Sequence, residues 1–527
     1  MARSARALLR HGSTLSLLTL ISRVLGLLRE MVKASLLGTS ALSDAFSVAF
    51  LIPNLFRRLF AEGSISVAFI PTFKEYLLKQ DQVKTREFLS SVFTVLICLV
   101  SLAVLIGILL TPWIIPFFGM DVDETGFLTR LMFPFLAFVS VAALLQGILN
   151  SLYSFTPSAL APIVLNLLTI ICAFALSPFT ANPARALALG ILLGGCMEAA
   201  IQWPFVLQKG YRFSVIGLTR AFQNPGMQKV LRLIGPTIIG MAAYQINDLV
   251  STALAGNAGE GVVSSLQYSL RLQELILGVF AVSMGTVLLP DLAEHAKSGR
   301  WDLYQERLGA AMRIIALITI PITFFSLAQG RNVIQLLFRN RRFGDDSVDL
   351  TLAAFTFHIP GLFFIALNRI LAPAFYAQSD AKAPTLAGIS SFGVNILLAA
   401  LLVGPMGGAG IALALSLASG VNTGLLLWFL KGKPWIALGR ILASALGYTL
   451  KLLLLSGIAV LPVLWVNPRL SAWGAGRGKL LEYGVPLLLT GLGYGLLGML
   501  LLLISKDPHI QGLGRMLRRS NGVPLHR

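Results

Sequence analysis

Acidic side chains are scarce in this sequence: Asp and Glu number 23 among 527 residues, against 42 Lys and Arg. All charged residues together make up 12%, about half the roughly 25% of a soluble domain. That shortage excludes an ordinary water-soluble fold. Cysteine is nearly absent. Cys98, Cys172 and Cys196 all lie in apolar runs without CxxC spacing, so neither a disulfide framework nor a thiolate metal site is implied. The five histidines (His11, His295, His358, His509, His526) form no i,i+4 pair and no HExxH, which removes the zinc-hydrolase class. No Walker A loop, kinase signature set or nucleophile elbow is found, so the chain is not expected to be an enzyme or to drive anything by its own ATP hydrolysis. No cofactor is expected.

What is abundant is hydrocarbon. Hydrophobic residues reach 56% and mean hydropathy is +0.79. Apolar runs long enough to cross a bilayer core of about 30 Å recur from end to end. The fold class expected is an all-α polytopic membrane protein with 14 transmembrane helices. The spans fall near 14–37, 44–77, 87–112, 128–152, 158–178, 185–207, 227–255, 263–292, 306–327, 348–375, 383–403, 409–432, 438–465 and 482–505. A cleaved secretory signal is not expected, because the N-terminal apolar pattern continues without a small-residue cleavage site. Pro53 inside the second span, Pro290 closing the eighth and Pro360 in the tenth predict tilted or kinked helices.

The net charge of +19 would suggest nucleic acid in a soluble protein. Here cytoplasmic loops account for most of it. With the N-terminus inside, the inner segments hold 24 Lys and Arg against 9 in the outer segments, which predicts that both termini are cytoplasmic. An internal repeat is also visible. "VAFIPTFKEYLLKQDQVKTREFL" (67–89) aligns with "TVLLPDLAEHAKSGRWDLYQERL" (286–308), and "FPFLAFVSVAALLQGILNSLYSF" (133–155) with "IPGLFFIALNRILAPAFYAQSDA" (359–381), at offsets of 219 and 226. Two similar offsets predict two pseudo-symmetric six-helix lobes, residues 1–220 and 221–433, in the same orientation. Residues 434–505 supply two helices outside the duplication, and 506–527 a basic cytoplasmic tail.

The informative anomaly is charge within the spans. An ionisable group at the centre of a membrane helix costs about 2.5–3.5 kcal/mol on insertion scales, so it usually faces a cavity and serves a function. "SRVLGLLRE" places Arg23 and Arg29 on the first span, six residues apart: about 9 Å of rise and about 120° of rotation. Both can face one wide cavity, more so if Gly26 permits a bend. Pairing with Glu30 or snorkelling to an interface is the plainer alternative for Arg29. Adjacent Arg57 and Arg58 lie about 100° apart and should meet different surroundings. Arg57 stands three residues after Asn54 and five before Glu62, with Asp44 further up the same span. Arg271 on the eighth span has Glu274 at i+3, an available local ion pair. A permanent salt bridge that pins two helices is the alternative there. The interior is net basic, and arginine presents a rigid fork matched to phosphate oxygens. Its placement within spans, away from any exposed basic and aromatic face, argues against nucleic acid. Asp248 with Asn247 on the seventh span, and Asn395 on the eleventh, form a softer pair of oxygen ligands for a cation. A buried hydrogen-bonded pair is the alternative. "RILAPAFYAQSDAKAPT", starting at Arg369, reads as a helix end, a cytoplasmic turn and the next helix start.

"SRVLGLLRE", "SDAFSVAFLIPNLFRRLFAEGSISVAFIPTFKEY" and "RILAPAFYAQSDAKAPT" together resemble the lipid II flippases (MurJ, also called MviN) of the multidrug/oligosaccharidyl-lipid/polysaccharide exporter superfamily. The resemblance covers essentially the whole chain. It implies a flippase in the bacterial inner membrane serving peptidoglycan synthesis, cell-wall biogenesis and cell shape. Its substrate would be lipid II, an undecaprenyl-pyrophosphate-linked disaccharide pentapeptide, moved from the cytoplasmic to the periplasmic leaflet by alternating access. It implies substrate-binding roles for Arg23, Arg29, Arg57 and Arg271, and gate or ion-pair roles for Asp44, Asn54, Arg58, Glu62 and Glu274. The two extra helices would form a groove for the lipid tail. Membrane-potential dependence and Na+ coupling at Asp248 and Asn395 are further implications, although the remaining ligands are not evident. A monomer is expected, with cell-wall synthesis machinery as a further contact. The runner-up is a cation-coupled multidrug exporter, or another lipid-linked oligosaccharide exporter of the same fold; a drug/cation antiporter would be expected to have an acidic cavity. A lipid-linked glycosyltransferase would need a carboxylate or metal pair at a membrane face, and a non-transporting scaffold would not need buried arginines.

Overall fold

The computed structural model describes residues 2–59, 68–509 and 511. Every regular element among them is a helix: α1 (Ala2–Leu37), α2 (Ala41–Arg57), α3 (Ile70–Leu78), α4 (Gln82–Ile114), α5 (Val122–Met132), α6 (Phe135–Ser151), α7 (Thr156–Ala175), α8 (Pro183–Gln208), α9 (Leu218–Gln223), α10 (Pro225–Gly256), α11 (Val262–Lys297), α12 (Trp301–Phe338), α13 (Asp345–His358), α14 (Gly361–Tyr376), α15 (Lys382–Met406), α16 (Gly408–Lys431), α17 (Leu438–Gly474) and α18 (Val485–Ile504). Among the described residues the apolar runs fall in helices. The fourth run is broken beside Pro134 into α5 and α6, and the tenth bends by 46° at Pro360 between α13 and α14. Proline explains both breaks, since it has no N–H to give and its ring crowds the preceding turn. Pro290 departs from expectation: α11 continues through it to Lys297 and does not end there. Glu62, expected at a gate, lies outside the described residues, as does the tail from 512 onward.

Among the described residues, nine helices are long and apolar enough to cross a membrane, and the bent α13–α14 pair brings the number to ten. The long helices outside that set, α1, α2, α10 and α11, are those that carry the interior charges Arg23, Arg29, Asp44, Arg57, Asp248 and Arg271. The membrane-facing interior also has to satisfy polar atoms locally. Thr72, Thr94, Thr111 and Thr129 do so by donating to the carbonyl four residues back, at 2.7–2.9 Å. Helix starts are capped by side chains: Ser40 for α2, Asp81 for α4, Asn182 for α8 and Asn224 for α10.

Contacts divide the chain into two compact units. The first comprises 1–271, 340–350 and 395–411. Its core stacks Phe69 and Tyr76 of the α3 region on Phe88 of α4, at centroid distances of 5.9 and 4.5 Å. A second cluster joins Leu37, Phe46, Leu128, Met132, Phe135 and Leu187. Helices α7 and α8 lie almost in backbone contact, because a Cβ at Gly190 would stand 2.8 Å from the Thr169 Cα. Small residues at a membrane helix interface allow this approach.

The second unit comprises 272–339, 351–394 and 412–527. Here α12 is tied to α17 and α18 by a buried polar seam: Gln329 donates to Thr490 at 3.0 Å and Asn332 to Asn467 at 2.7 Å. The stretch read as a helix end, a turn and the next helix start is that, and the structure adds a cap. The Asp380 Oδ1 accepts the backbone N–H groups of Lys382 and Ala383, both at 3.1 Å, while Oδ2 accepts from Lys433 Nζ at 2.7 Å. The Lys433 ammonium holds the Asp380 carboxyl below its usual range. This ion pair therefore contributes stability above the ordinary carboxylate pKa of about 3.9, which is lost as pH falls through the lowered folded value. Asp380→Asn, which keeps the cap and loses the pair, is expected to cost about 0.5–1 kcal/mol at pH 7. The difference from wild type should shrink as pH falls through the lowered folded pKa; thermal melts of the detergent-solubilised protein, taken stepwise from pH 7 into the acid range, check it.

Candidate functional site

One turn of α1 collects three charges. Arg29, Glu30 and Lys33 are spaced i, i+1 and i+4, so Arg29 and Lys33 share a face and Glu30 borders both. Arg29 Nη2 donates to Glu30 Oε1 at 2.8 Å, and its Nη1 donates to Asn166 Oδ1 on α7 at 3.1 Å. Asn166 in turn donates to the Ser22 carbonyl at 3.4 Å, which anchors the amide to α1. Arg271 reaches the same place from α11. A Cβ on Gly26 would stand 2.5 Å from Arg271 Nη2 and 3.8 Å from Asn166 Nδ2. Gly26 therefore leaves room for a guanidinium on an uninterrupted helix, where the sequence had offered it as a bend. The structure thus gathers Arg29 and Arg271 around Gly26 and Asn166.

Next to this cluster lies a small cavity of about 40 Å³. Its polar wall is Arg29, Glu30, Lys33, Ser47, Thr169 and Gln267, and its apolar wall is Phe46, Phe50, Leu187 and Ile191. Space of that size holds a few water molecules or an anionic oxygen atom. Lys33 is 4% exposed. Its ammonium donates to Ser47 Oγ at 2.7 Å and Gln267 Oε1 at 3.1 Å, over the rings of Phe46 and Tyr268 at 5.6 and 5.0 Å.

Asp44, expected as an acidic partner of the arginines, engages backbone. Its Oδ2 accepts the Gly261 N–H and its Oδ1 the Ser264 N–H, both at 2.7 Å, so a buried α2 carboxylate caps the start of α11. The arrangement is reciprocal: Glu260, just before α11, accepts the Ala41 N–H at the start of α2, at 2.9 Å. A carboxylate at a helix N-terminus meets the positive end of the helix dipole and its unpaired N–H groups. Close approach requires glycine here. Gly261 has φ +81°, with the Thr39 carbonyl 2.7 Å from where its Cβ would be.

The other expected residues lie as follows. Arg57 Nε donates to Asn54 Oδ1 at 2.8 Å, the contact that their spacing allowed. Arg58 turns elsewhere and faces Asp248 at 3.7 Å. Arg23 is half-buried and makes no hydrogen bond or ion pair among the described residues. Glu274 is exposed on α11. Asn395 donates to Asn247 Oδ1 at 2.8 Å and Ser251 Oγ at 3.1 Å, while Asp248 faces Arg58. No cluster of three or more His, Cys, Asp or Glu able to hold a metal occurs among the described residues.

Lys33, Asn166 and Gln267 are not among the residues expected from the sequence. Lys33 carried a readable signal, one turn from Arg29; Asn166 was a lone amide in "APIVLNLLTIICAF". Gln267 carried none, because only the fold brings α11 to α1.

A family model described as lipid II flippase MurJ matches residues 33–480. The chain belongs to the MurJ lipid II flippase family. Members of this family are transporters, and the chain is a multi-pass membrane protein. A Treponema pallidum protein named "Probable lipid II flippase MurJ" is 46% identical over 512 residues, covering 96% of this chain and 97% of its own length. The Burkholderia cenocepacia "Lipid II flippase MurJ" is 33% identical over 428 residues, covering 80% and 83%. The solved structure titled "Lipid II flippase MurJ, inward closed conformation" shares the fold at a TM-score of 0.77 and 23% identity, covering 94% of this chain and 99% of that one. An inward-facing multidrug resistance MATE family transporter of the MOP superfamily shares it more distantly, at a TM-score of 0.65 and 14% identity over 80% of this chain and 95% of that one.

Asp44→Ala would leave two buried N–H groups without an acceptor, each costing about 1–3 kcal/mol. Its melting temperature is expected to fall by several degrees in tryptophan-fluorescence melts of the purified flippase, and that of Asp44→Asn, which retains one acceptor oxygen, by about half as much. An unchanged melt for Asp44→Ala would show that the cap is not holding α2 and α11 together.

Proposed function

We propose that this chain moves lipid II from the cytoplasmic to the periplasmic leaflet of the bacterial inner membrane, supporting peptidoglycan synthesis. The observation that carries the proposal is the meeting of Arg29 and Arg271 around Gly26 and Asn166, in a chain whose family is named for this lipid. Two guanidinium groups kept from water in an apolar protein are costly. They become favourable partners once an anion with paired oxygens arrives, and a pyrophosphate supplies such oxygens to planar, bidentate donors. Crossing bare hydrocarbon would cost a charged headgroup tens of kcal/mol. A protein-lined route removes most of that barrier by replacing the water shell with fixed donors.

In this mechanism Arg29 and Arg271 hold the pyrophosphate, Arg23 meets it two turns toward the N-terminus, and Arg57 guides it from the cytoplasmic end. Both termini are cytoplasmic. Access alternates between two six-helix lobes, 1–220 and 221–433, while the isoprenoid tail stays in lipid beside the helices of 434–505. Transport depends on membrane potential, since a headgroup with two phosphates carries net charge across the field. The flippase works as a monomer that can be engaged by cell-wall synthesis machinery. Coupling to Na+ through Asp248 and Asn395 is not included, because those side chains point to different partners.

The test is transbilayer movement of fluorescent lipid II in proteoliposomes under an imposed potential. Arg29→Ala and Arg271→Ala are each expected to slow it by at least about tenfold, the effect of losing a charge-assisted bond of about 1.5–3 kcal/mol. The Lys variants should retain part of the rate by charge alone. Wild-type rates in both Ala variants would sink the proposal. Gly26→Ala is expected to fold normally, since its methyl meets only the flexible end of Arg271, yet to slow transport by about tenfold or more through misplacement of that guanidinium. The melting temperature and the rate, measured on one preparation, separate the two effects.

A further inference from the structure

Among the lysines and arginines whose burial is described, Lys33 is the one that is buried. A lysine stem normally lets the ammonium snorkel to water; this one is held inward. Its hydrogen-bond partners, Ser47 Oγ and Gln267 Oε1, are neutral, as are the rings of Phe46 and Tyr268 beneath it. The carboxylates that act on it are Glu30, one turn back on the same helix, and Asp44, whose two oxygens are already committed to the start of α11. Glu30 is therefore the only one of the two free to move to it. Glu30 is bonded at present to Arg29, and all three side chains open onto the same small cavity.

Resting on the reading that Arg29 receives the pyrophosphate, we propose that Lys33 is a positioning residue: it is the alternative partner of Glu30, taking over that carboxylate when a phosphate oxygen displaces it from Arg29. Without such a partner, an arriving anion would face a stranded carboxylate beside it in a low-dielectric space, where like charges repel strongly. Glu30 and Lys33 are i and i+3, neighbours on the helix surface, so a rotamer change joins them without moving backbone. When the ammonium turns toward Glu30, Ser47 and Gln267 lose a donor but no charge is left unpaired. The cavity supplies the room for the exchange. Lys33 thus keeps Arg29 ready for release to the substrate.

The experiment is a two-by-two series in proteoliposomes carrying fluorescent lipid II: wild type, Lys33→Met, Glu30→Gln and the double variant, with Lys33→Arg and Arg29→Ala alongside. Lys33→Met is expected to slow transport by about tenfold with Glu30 present, and by less than about threefold in the Glu30→Gln background, where no carboxylate needs a partner. Lys33→Arg should stay within about threefold of wild type, because it keeps the charge. If Lys33→Met is as fast as wild type, or its defect is equally large in both backgrounds, the handover is wrong and Lys33 serves only packing. Should Lys33→Met not fold, Lys33→Gln replaces it in both arms, being neutral and still able to bond Ser47 and Gln267. Arg29→Ala reports separately: a wild-type rate there overturns the anion-site reading itself, whereas a slow Arg29→Ala with silent Lys33 variants overturns the handover alone.

Discussion

Within one turn of α1, two cations and a carboxylate stand away from water, and the surroundings of that turn are arranged by the need to satisfy them. Arg29 takes an amide oxygen from α7 and the neighbouring carboxylate; Lys33 takes a hydroxyl from α2 and an amide oxygen from α11, over two rings. Removing one side of such a cluster leaves a buried charge unanswered, which costs more than the pair is worth when intact. So α1, α2, α7 and the first turns of α11 are held in mutual register by electrostatics, while the apolar contacts around them supply the bulk of the packing.

Backbone polarity sets the second requirement. Where α2 and α11 begin, each would present unpaired N–H groups. The crossed carboxylates, Asp44 onto α11 and Glu260 onto α2, satisfy them and bring negative charge to two positive helix ends. This places an acid close to the basic cluster without neutralising it. Asp44 is spent on backbone, and Arg29, Glu30 and Lys33 together keep a net positive charge.

Much of the architecture was legible in hydrophobic runs, because a helix that must satisfy all its backbone in hydrocarbon declares itself by length and composition. The bend at Pro360 followed from proline's missing donor, and the turn after α14 was read as a helix end and the next helix start. The Arg57–Asn54 contact was legible too, since three residues on a helix bring side chains together. Pro290 was misjudged: a helix interior can carry a proline when the surrounding helix continues on both sides, and α11 does. Adjacent positions on α10 point about 100° apart, so Asn247 and Asp248 meet different neighbours. Asn247 meets Asn395, and Asp248 meets Arg58.

By itself, the sequence determined that this is a helical membrane protein with arginines in its interior, and the motifs around Arg29 were enough to indicate the flippase family. Periodicity and spacing reach only a few residues along one helix. What only the tertiary structure decided is which distant groups meet: Arg271 in the space left by Gly26, Asn166 beneath Arg29, Gln267 on Lys33, and Asp44 on the amides of α11. Those pairings depend on how helices far apart in the chain pack against one another. A buried charge is satisfied by whatever packing brings near it, regardless of separation in sequence.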